Sequence, residues 1–216
     1  MNILVLGPQG SGKGTQARLL SEKLGLYYFE SGSFLREIAS KNEELRKHLA
    51  QGNLVPDEEM SSYVQSFFDE KGVYDNIIFD GFPRTVVQYN FFKKWLQDKE
   101  SSLDSVIVLK ISEEETIRRL AARRQDPETG KIYNLITDPP PDGVDKSKLV
   151  QREDDTPEAI KQRLTWYKDL VVPLIEVMKK DTKVVEVDGE RPIEVVFKVI
   201  LVTCCITTSP KSQVYL

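Results

Sequence analysis

Four aliphatic residues, Ile3-Leu4-Val5-Leu6, run straight into Gly7-Pro8-Gln9-Gly10-Ser11-Gly12-Lys13-Gly14-Thr15. Few short stretches constrain a fold as strongly. A buried strand, a glycine-rich turn and a helix opening at a lysine make a cradle whose backbone amides face an anion. The spacing is that of a phosphate-binding loop, G-x-x-x-x-G-K-[ST], with one displacement. Gly14 stands directly after the lysine, and the hydroxyl comes one residue later, on Thr15. The other reading, a ligand-free turn between strand and helix, is weakened by the conjunction of strand, helix and correctly placed Gly-Lys.

The rest of the chain repeats this order. Asn2 to Leu6, Leu26 to Phe29, Asn76 to Phe79, Ser105 to Ile111 and Lys183 to Val187 read as strands. Helices are predicted over Lys13 to Leu24, Asn42 to Gln51, Pro56 to Lys71, Thr85 to Leu96, Glu113 to Arg124, Pro157 to Lys179 and Pro192 to Val202. A further helix is expected after a cap at Ser31-Gly32-Ser33, and a kink at Pro173. This alternation predicts an α/β fold, a five-stranded, mostly parallel sheet with helices on both faces. Segments 30–59 and 123–155 look added to a core made of 1–29, 60–122 and 156–216. Both begin near the edge where ligands of open α/β sheets bind. Residues 203–216 have no periodicity and read as a frayed tail.

The formal net charge is −4, which gives no overall basic field for nucleic acid or a membrane surface. An anionic substrate would have to be met by local arginines. No apolar stretch is long enough to span a bilayer, and the start of the chain lacks the pattern of a signal peptide. Cys204 and Cys205 are adjacent, which suits reduced thiols and a reducing, cytoplasmic compartment better than a disulfide framework.

The run GPQGSGKGTQ resembles the loop of the nucleoside monophosphate kinases of the adenylate kinase type, in which Gly-Thr commonly follows the lysine. The displaced hydroxyl is then a family trait rather than decay. Ser31-Gly32-Ser33-Phe34-Leu35-Arg36 resembles the family's T/S-G-D-x-L-R segment. Asp80-Gly81-Phe82-Pro83-Arg84-Thr85 matches its D-G-F-P-R-T signature, with Gln88 at the expected offset. Arg119, Arg123, Arg152, Asp154, Asp155 and Arg163 fall where the family has its arginines and paired aspartates. The likeness covers residues 1 to about 200.

That resemblance implies a three-layer P-loop fold with a helical NMP-binding insertion and a lid. It also implies reversible, Mg²⁺-dependent phosphoryl transfer from ATP to AMP by a monomer, giving two ADP. Gly10, Ser11, Gly12, Lys13, Gly14, Thr15, Arg119, Arg123 and Tyr133 would hold ATP, with Arg119 stacked on the adenine. Ser31, Arg36, Leu54, Val55, Gly81, Arg84, Gln88, Arg152 and Arg163 would hold AMP. Lys13, Arg84, Arg123, Arg152 and Arg163 would act on the transferred group, because such chemistry is mainly positioning and charge stabilisation by forked, always-charged donors. Asp80 would hold Mg²⁺ through water, or be a turn or N-cap aspartate. Gln88 would read an adenine edge, or be an exposed helix residue. Asp154 and Asp155 would orient arginines or clamp the lid; the other reading is capping of the helix just before Pro157, by an aspartate or by Thr156.

Thr85 and the long excursion 123–155 favour AMP, since the related UMP/CMP kinases commonly carry asparagine after the DGFPR run and a shorter lid. A UMP, CMP or GMP kinase and a non-catalytic nucleotide-binding module stay open as alternatives. Segment 123–155 has no cysteine or histidine, so zinc is not expected; contacts among Asp126, Thr129 and Asp145 would stabilise it instead. Ser31, Ser33, Lys131 and Asn134 depart from the common family residues. His48, Arg118 and Arg124 read as surface residues, Trp95 and Trp166 as packing residues, and Tyr27-Tyr28-Phe29 as strand.

Overall fold

The structure is a computed structural model that describes residues 1–205, Cys205 by its backbone alone. Along the chain come β1 (Asn2–Leu6), α1 (Lys13–Leu24), β2 (Tyr27–Glu30), α2 (Ser31–Ala39), α3 (Glu43–Ala50), α4 (Asp57–Lys71), β3 (Ile77–Asp80) and α5 (Val86–Asp98). Then follow β4 (Ser105–Lys110), α6 (Glu113–Ala121), β5 (Arg123–Gln125), β6 (Ile132–Asn134), α7 (Pro157–Trp166), α8 (Val172–Met178), β7 (Lys183–Asp188) and α9 (Ile193–Cys205). Five strands form one parallel sheet in the order β2-β3-β1-β4-β7.

Successive strand residues point to opposite faces, and both faces here are apolar. Leu4, Leu6, Ile77, Phe79, Val106 and Val108 pack with α4, α5 and α8; Ile3, Val5, Ile78, Ile107 and Leu109 pack with α1 and α9. Each such side chain, taken fully out of water, contributes about 2 kcal/mol. The first face carries a string of aromatics, Phe29, Phe67, Phe68, Phe79, Phe92 and Trp95, with ring centroids 4.8 to 6.2 Å apart. Trp95 packs there as its sequence position suggests, whereas Trp166 is only half-buried and lines the main cavity.

Several elements differ from the sequence expectation, each for a physical reason. Ser31-Gly32-Ser33 is the first turn of α2 rather than its cap; Glu30 takes the N-cap position, without a side-chain bond to the helix. Strands β2 and β3 end one residue later than expected, at Glu30 and Asp80, which are register partners. Helix α6 stops at Ala121 because Arg123–Gln125 pairs antiparallel with β6. The helix from Pro157, expected to kink at Pro173, widens into a π turn over Tyr167–Val171 just before the proline. Proline cannot donate to the carbonyl four residues back and its ring collides with it, and the wider turn removes both conflicts. Helix α9 runs to Cys205, because Thr203 Oγ1 bonds the Val199 carbonyl at 2.6 Å and Cys204 is buried in the core. The remainder of the expected frayed tail, 206–216, lies outside the described residues. Among the described residues no helix is long and apolar enough to cross a membrane.

Candidate functional site

A cavity of about 1060 Å³ opens at the carboxyl ends of the strands. The glycine loop forms its floor, and the segments 30–55 and 123–154 and helix α7 form its walls. Eleven basic side chains and six acidic ones line it, although the whole chain is acidic. The positive charge is therefore local, and it sits where a parallel sheet presents its ligands.

Helix α1 begins at Lys13, whose Nζ donates to the carbonyls of Gly7 at 2.9 Å and Pro8 at 2.8 Å. Burial lowers its pKa to about 8, against the opposing pull of the Asp80 carboxylate. A Cβ at Gly14 would lie 3.4 Å from Tyr28 Oη and 3.5 Å from Asp80 Oδ2, in ordinary contact. Thr15 carries the hydroxyl and also lines the cavity. Asp80 is buried and accepts a bond from Tyr28 Oη at 3.0 Å, so it neither caps a helix nor closes a turn through its side chain. Burial raises the Asp80 pKa despite Lys13, and burial with the nearby carboxylates raises that of Tyr28.

The arginines arrive from every side. Arg84 Nε donates to the Gly81 carbonyl at 2.6 Å. Gly81 leaves room for this, since a Cβ there would come within 2.9 Å of both Arg84 Nη2 and Ser31 Oγ. Arg36 reaches Glu30 Oε1 at 3.3 Å and Ser33 Oγ at 3.0 Å. Arg123 donates from Nε to Asp155 Oδ2 at 2.8 Å, and Arg163 from Nη1 to Asp154 Oδ2 at 2.7 Å. Arg152 donates to Gln125 Oε1 at 3.0 Å. Burial, reinforced by neighbouring cations, lowers Arg152 and Arg163 to about 10. Asp154 lies below the usual carboxylate range: burial opposes its charge, but Arg163, Arg123, Arg152 and Arg36 outweigh it. Thr156, not the aspartates, caps α7 by accepting from the Ala159 amide. Arg119 is nearly buried, held by Glu115 Oε1 at 2.6 Å and close to the Gly10 carbonyl at 3.3 Å.

The cavity thus brings together the loop residues Gly10 to Thr15 with Arg36, Leu54, Val55, Asp80, Gly81, Arg84, Arg119, Arg123, Tyr133, Arg152 and Arg163. Ser31 and Gln88 are not on its lining. Ser31 Oγ is buried beside Gly81 without a hydrogen-bond partner. Gln88 is buried, which corrects the reading of it as an exposed helix residue. Its Oε1 accepts from the Arg84 amide at 2.8 Å and its Nε2 donates to Asp57 Oδ1 at 2.9 Å. Asp145 bonds Ser147, while Asp126 bonds Thr129 and Glu128, so the expected three-residue contact is two separate turns. His48 is exposed, and Arg118 pairs with Glu115 at the surface. Arg124 is half-buried rather than freely solvated, its Nη1 bonded to the carbonyls of Ala121 and Arg123.

Sequence reasoning missed Tyr28, Glu30 and Arg18. Glu30 and Asp80 end adjacent parallel strands in register, and Tyr28 Oη lies within 3.3 Å of both carboxylates. The available signal was positional: the last residue of each strand in such a sheet points at the ligand edge.

The chain is 38% identical over 201 residues to an adenylate kinase of Salinibacter ruber, an alignment covering 91% of this chain and 94% of that one. It is 36% identical over 206 residues to one of Petrotoga mobilis, with 92% and 94% covered. It is 38% identical over 206 residues to one of Archaeoglobus fulgidus, with 92% and 95% covered. A sequence model of the adenylate kinase family matches residues 5–183. With the phosphate loop, the DGFPRT run and the arginine-lined cavity at one sheet edge, this chain belongs to the adenylate kinase family.

Proposed function

We propose that this chain transfers the terminal phosphoryl group of ATP to AMP, reversibly, as a monomer of the cytoplasm. The observation that carries this reading is the convergence of Arg36, Arg84, Arg123, Arg152 and Arg163 with Lys13 on one cavity, from the core and from both insertions. Two nucleotides meeting end to end bring many negative charges together, and forked cations from several directions stabilise them. Gly10 to Thr15 cradle the donor phosphates, with Arg119 and Tyr133 beside the donor base. Arg36 and Arg84 clamp the acceptor phosphate beside a base pocket walled by Leu54, Val55 and Gly81, with Ser31 packed behind Gly81 and Gln88 holding the Arg84 amide from outside the lining. Arg123, Arg152, Arg163 and Lys13 surround the group in flight. The acceptor is already an anion, so the reaction asks for no general base.

The residues suit a hydrated Mg²⁺ brought by ATP. Asp80 offers a hard carboxylate that accepts from Tyr28 Oη, and Thr15 lines the same cavity. The ion, when bound, spreads the charge of the phosphates, while Lys13 and the arginines orient them. Segments 30–59 and 123–155 act as flaps on the core 1–29, 60–122 and 156–216 and exclude water, the competing acceptor.

Turnover with Mg²⁺-ATP in parallel with AMP, UMP, CMP, GMP and no acceptor tests the reading. ADP formation that depends on AMP is expected. Faster turnover with UMP, or equal ADP release without any acceptor, would replace it with another kinase or an ATPase.

A further inference from the structure

Glu30 has no place in the scheme above, yet it stands inside the cavity among the arginines. It is the last residue of β2 and the N-cap residue of α2, the helix that carries Arg36. Its side chain is only 17% exposed. Arg36 Nη2 lies 3.3 Å from Oε1, while Arg18 Nη2 at 3.4 Å and Tyr28 Oη at 3.3 Å share Oε2. Burial works against its charge but Arg36, Arg152 and Arg18 outweigh it, so Glu30 is an ionised carboxylate in the acceptor half of the site.

The distances are informative. Charge-assisted bonds of this kind settle near 2.7–2.9 Å. Arg123 with Asp155 and Arg163 with Asp154 reach that range in the same cavity. Glu30 does not reach it with Arg36, Arg18 or Tyr28, and Ser33 is a further side-chain partner. Its carboxylate is shared among four groups rather than paired with one. A carboxylate also offers a guanidinium fork the same two-oxygen edge as a phosphate. It can therefore occupy Arg36 and be displaced.

We propose that Glu30 is an internal counter-ion of the acceptor-phosphate subsite. It holds Arg36 between turnovers and yields it to the phosphate of the incoming nucleoside monophosphate. This rests on the reading that Arg36 binds the acceptor phosphate. As a positioning residue, Glu30 weakens acceptor binding and keeps the arginines from trapping either nucleotide.

Steady-state kinetics of Glu30→Gln test this. The KM for AMP should fall about fivefold, since the carboxylate that competes with the phosphate for Arg36 is gone. The KM for Mg²⁺-ATP should stay within about twofold, and kcat should fall as acceptor-side departure slows. Inorganic phosphate, used as a competitor of AMP, should inhibit at correspondingly lower concentration. Glu30→Asp should restore the original KM in part. An unchanged or higher AMP KM in a normally melting Glu30→Gln protein would overturn the proposal and leave Glu30 a support for α2. Arg36→Ala separates the two readings. It should raise the AMP KM, and adding Glu30→Gln should then lower it no further. A drop that persists without Arg36 would sink the role of Glu30 alone. An AMP KM unaffected by Arg36→Ala would sink the acceptor-site reading and this proposal with it.

Discussion

The two added segments are held in place by different physics. Segment 30–59 is helical and apolar where it meets the core: Phe34, Leu35, Leu45 and Leu49 pack on the large hydrophobic cluster. Phe34 stacks at a tilt on Phe29 and Phe67, with centroids 5.4 and 5.0 Å apart. Gly52, at φ +79°, brings its backbone so close to α7 that a Cβ would lie 3.0 Å from the Ala159 carbonyl. Segment 123–155 buries little beyond Tyr133 and Pro140 and leaves Leu135, Ile136 and Val150 exposed. Polar contacts tie it to the rest of the chain, Arg163 to Asp154 at 2.7 Å, Asn134 to the Arg119 carbonyl at 2.9 Å and Arg46 to Glu153 at 2.9 Å, and others brace it internally, Arg123 to Asp155 and Arg152 to Gln125. Apolar burial is non-directional and is not screened by salt, whereas an exposed ion pair such as Arg46 with Glu153 is weak and screened. The first flap should stay seated with or without nucleotide, and the second should close when phosphate supplies the missing charge.

The sharpest break of this contrast is at the lid's anchor. Arg123→Ala leaves Asp155, whose side chain is fully buried, with the Arg163 contact at 3.8 Å as its remaining ion pair among the described residues. We expect a stability loss of about 3 kcal/mol in a thermal or denaturant melt. Turnover should fall roughly 10²- to 10³-fold. Retained turnover would remove Arg123 from the reaction.

Next in size is a pH effect at Lys13, which belongs to neither flap. The pKa is lowered from the ordinary 10.5 to about 8. Below pH 8 the lysine is charged in folded and unfolded chain alike, and its burial counts fully against folding. Between pH 8 and 10.5 the folded chain has lost a proton that the unfolded chain keeps, so this group's contribution to stability rises with pH. ATP affinity runs the other way, because the phosphates need the charge. The Kd for ATP should rise about tenfold between pH 7 and 9. Calorimetric titration checks it, and a profile no flatter in Lys13→Arg would assign the effect elsewhere.

Smaller changes distinguish the flaps directly. Leu49→Ala should raise the AMP KM about fivefold by loosening the apolar seat, and added salt should not alter that ratio. Glu153→Gln should change turnover less than about twofold, and about 0.5 M salt should abolish the difference. If the Leu49 effect proves as salt-sensitive as the Glu153 effect, the distinction between the segments fails.

Strands and the phosphate loop were legible because their information is local. Ile3 to Leu6 is uninterrupted aliphatic chain, and Lys13 to Leu24 is bounded by glycines. The arginines were legible only through resemblance, since a lone arginine looks the same on a surface or in a site. What stayed hidden depends on partners distant in sequence. Glu30 becomes a site residue because β2 lies beside β3 in register with Asp80, 50 residues on. Gln88 is buried because Asp57 and the Arg84 amide occupy both ends of its amide group. The end of α6 was hidden for the same reason, as β6 is what draws Arg123–Gln125 into a strand.

The π turn at Tyr167–Val171 carries a further consequence, about counting rather than chemistry. One extra residue in a helical turn rotates everything after it by about 100° relative to everything before. Ahead of the turn, Arg163 lines the cavity and Leu164 joins Leu120 and Ile160; after it, Leu174, Ile175 and Met178 face the main core. Removing one residue would leave each half its own helical bonds and swing one half away from what it serves. Lys168, Asp169 and Leu170 are exposed, so what they contribute here is their number, which the angle between the two surfaces they join sets.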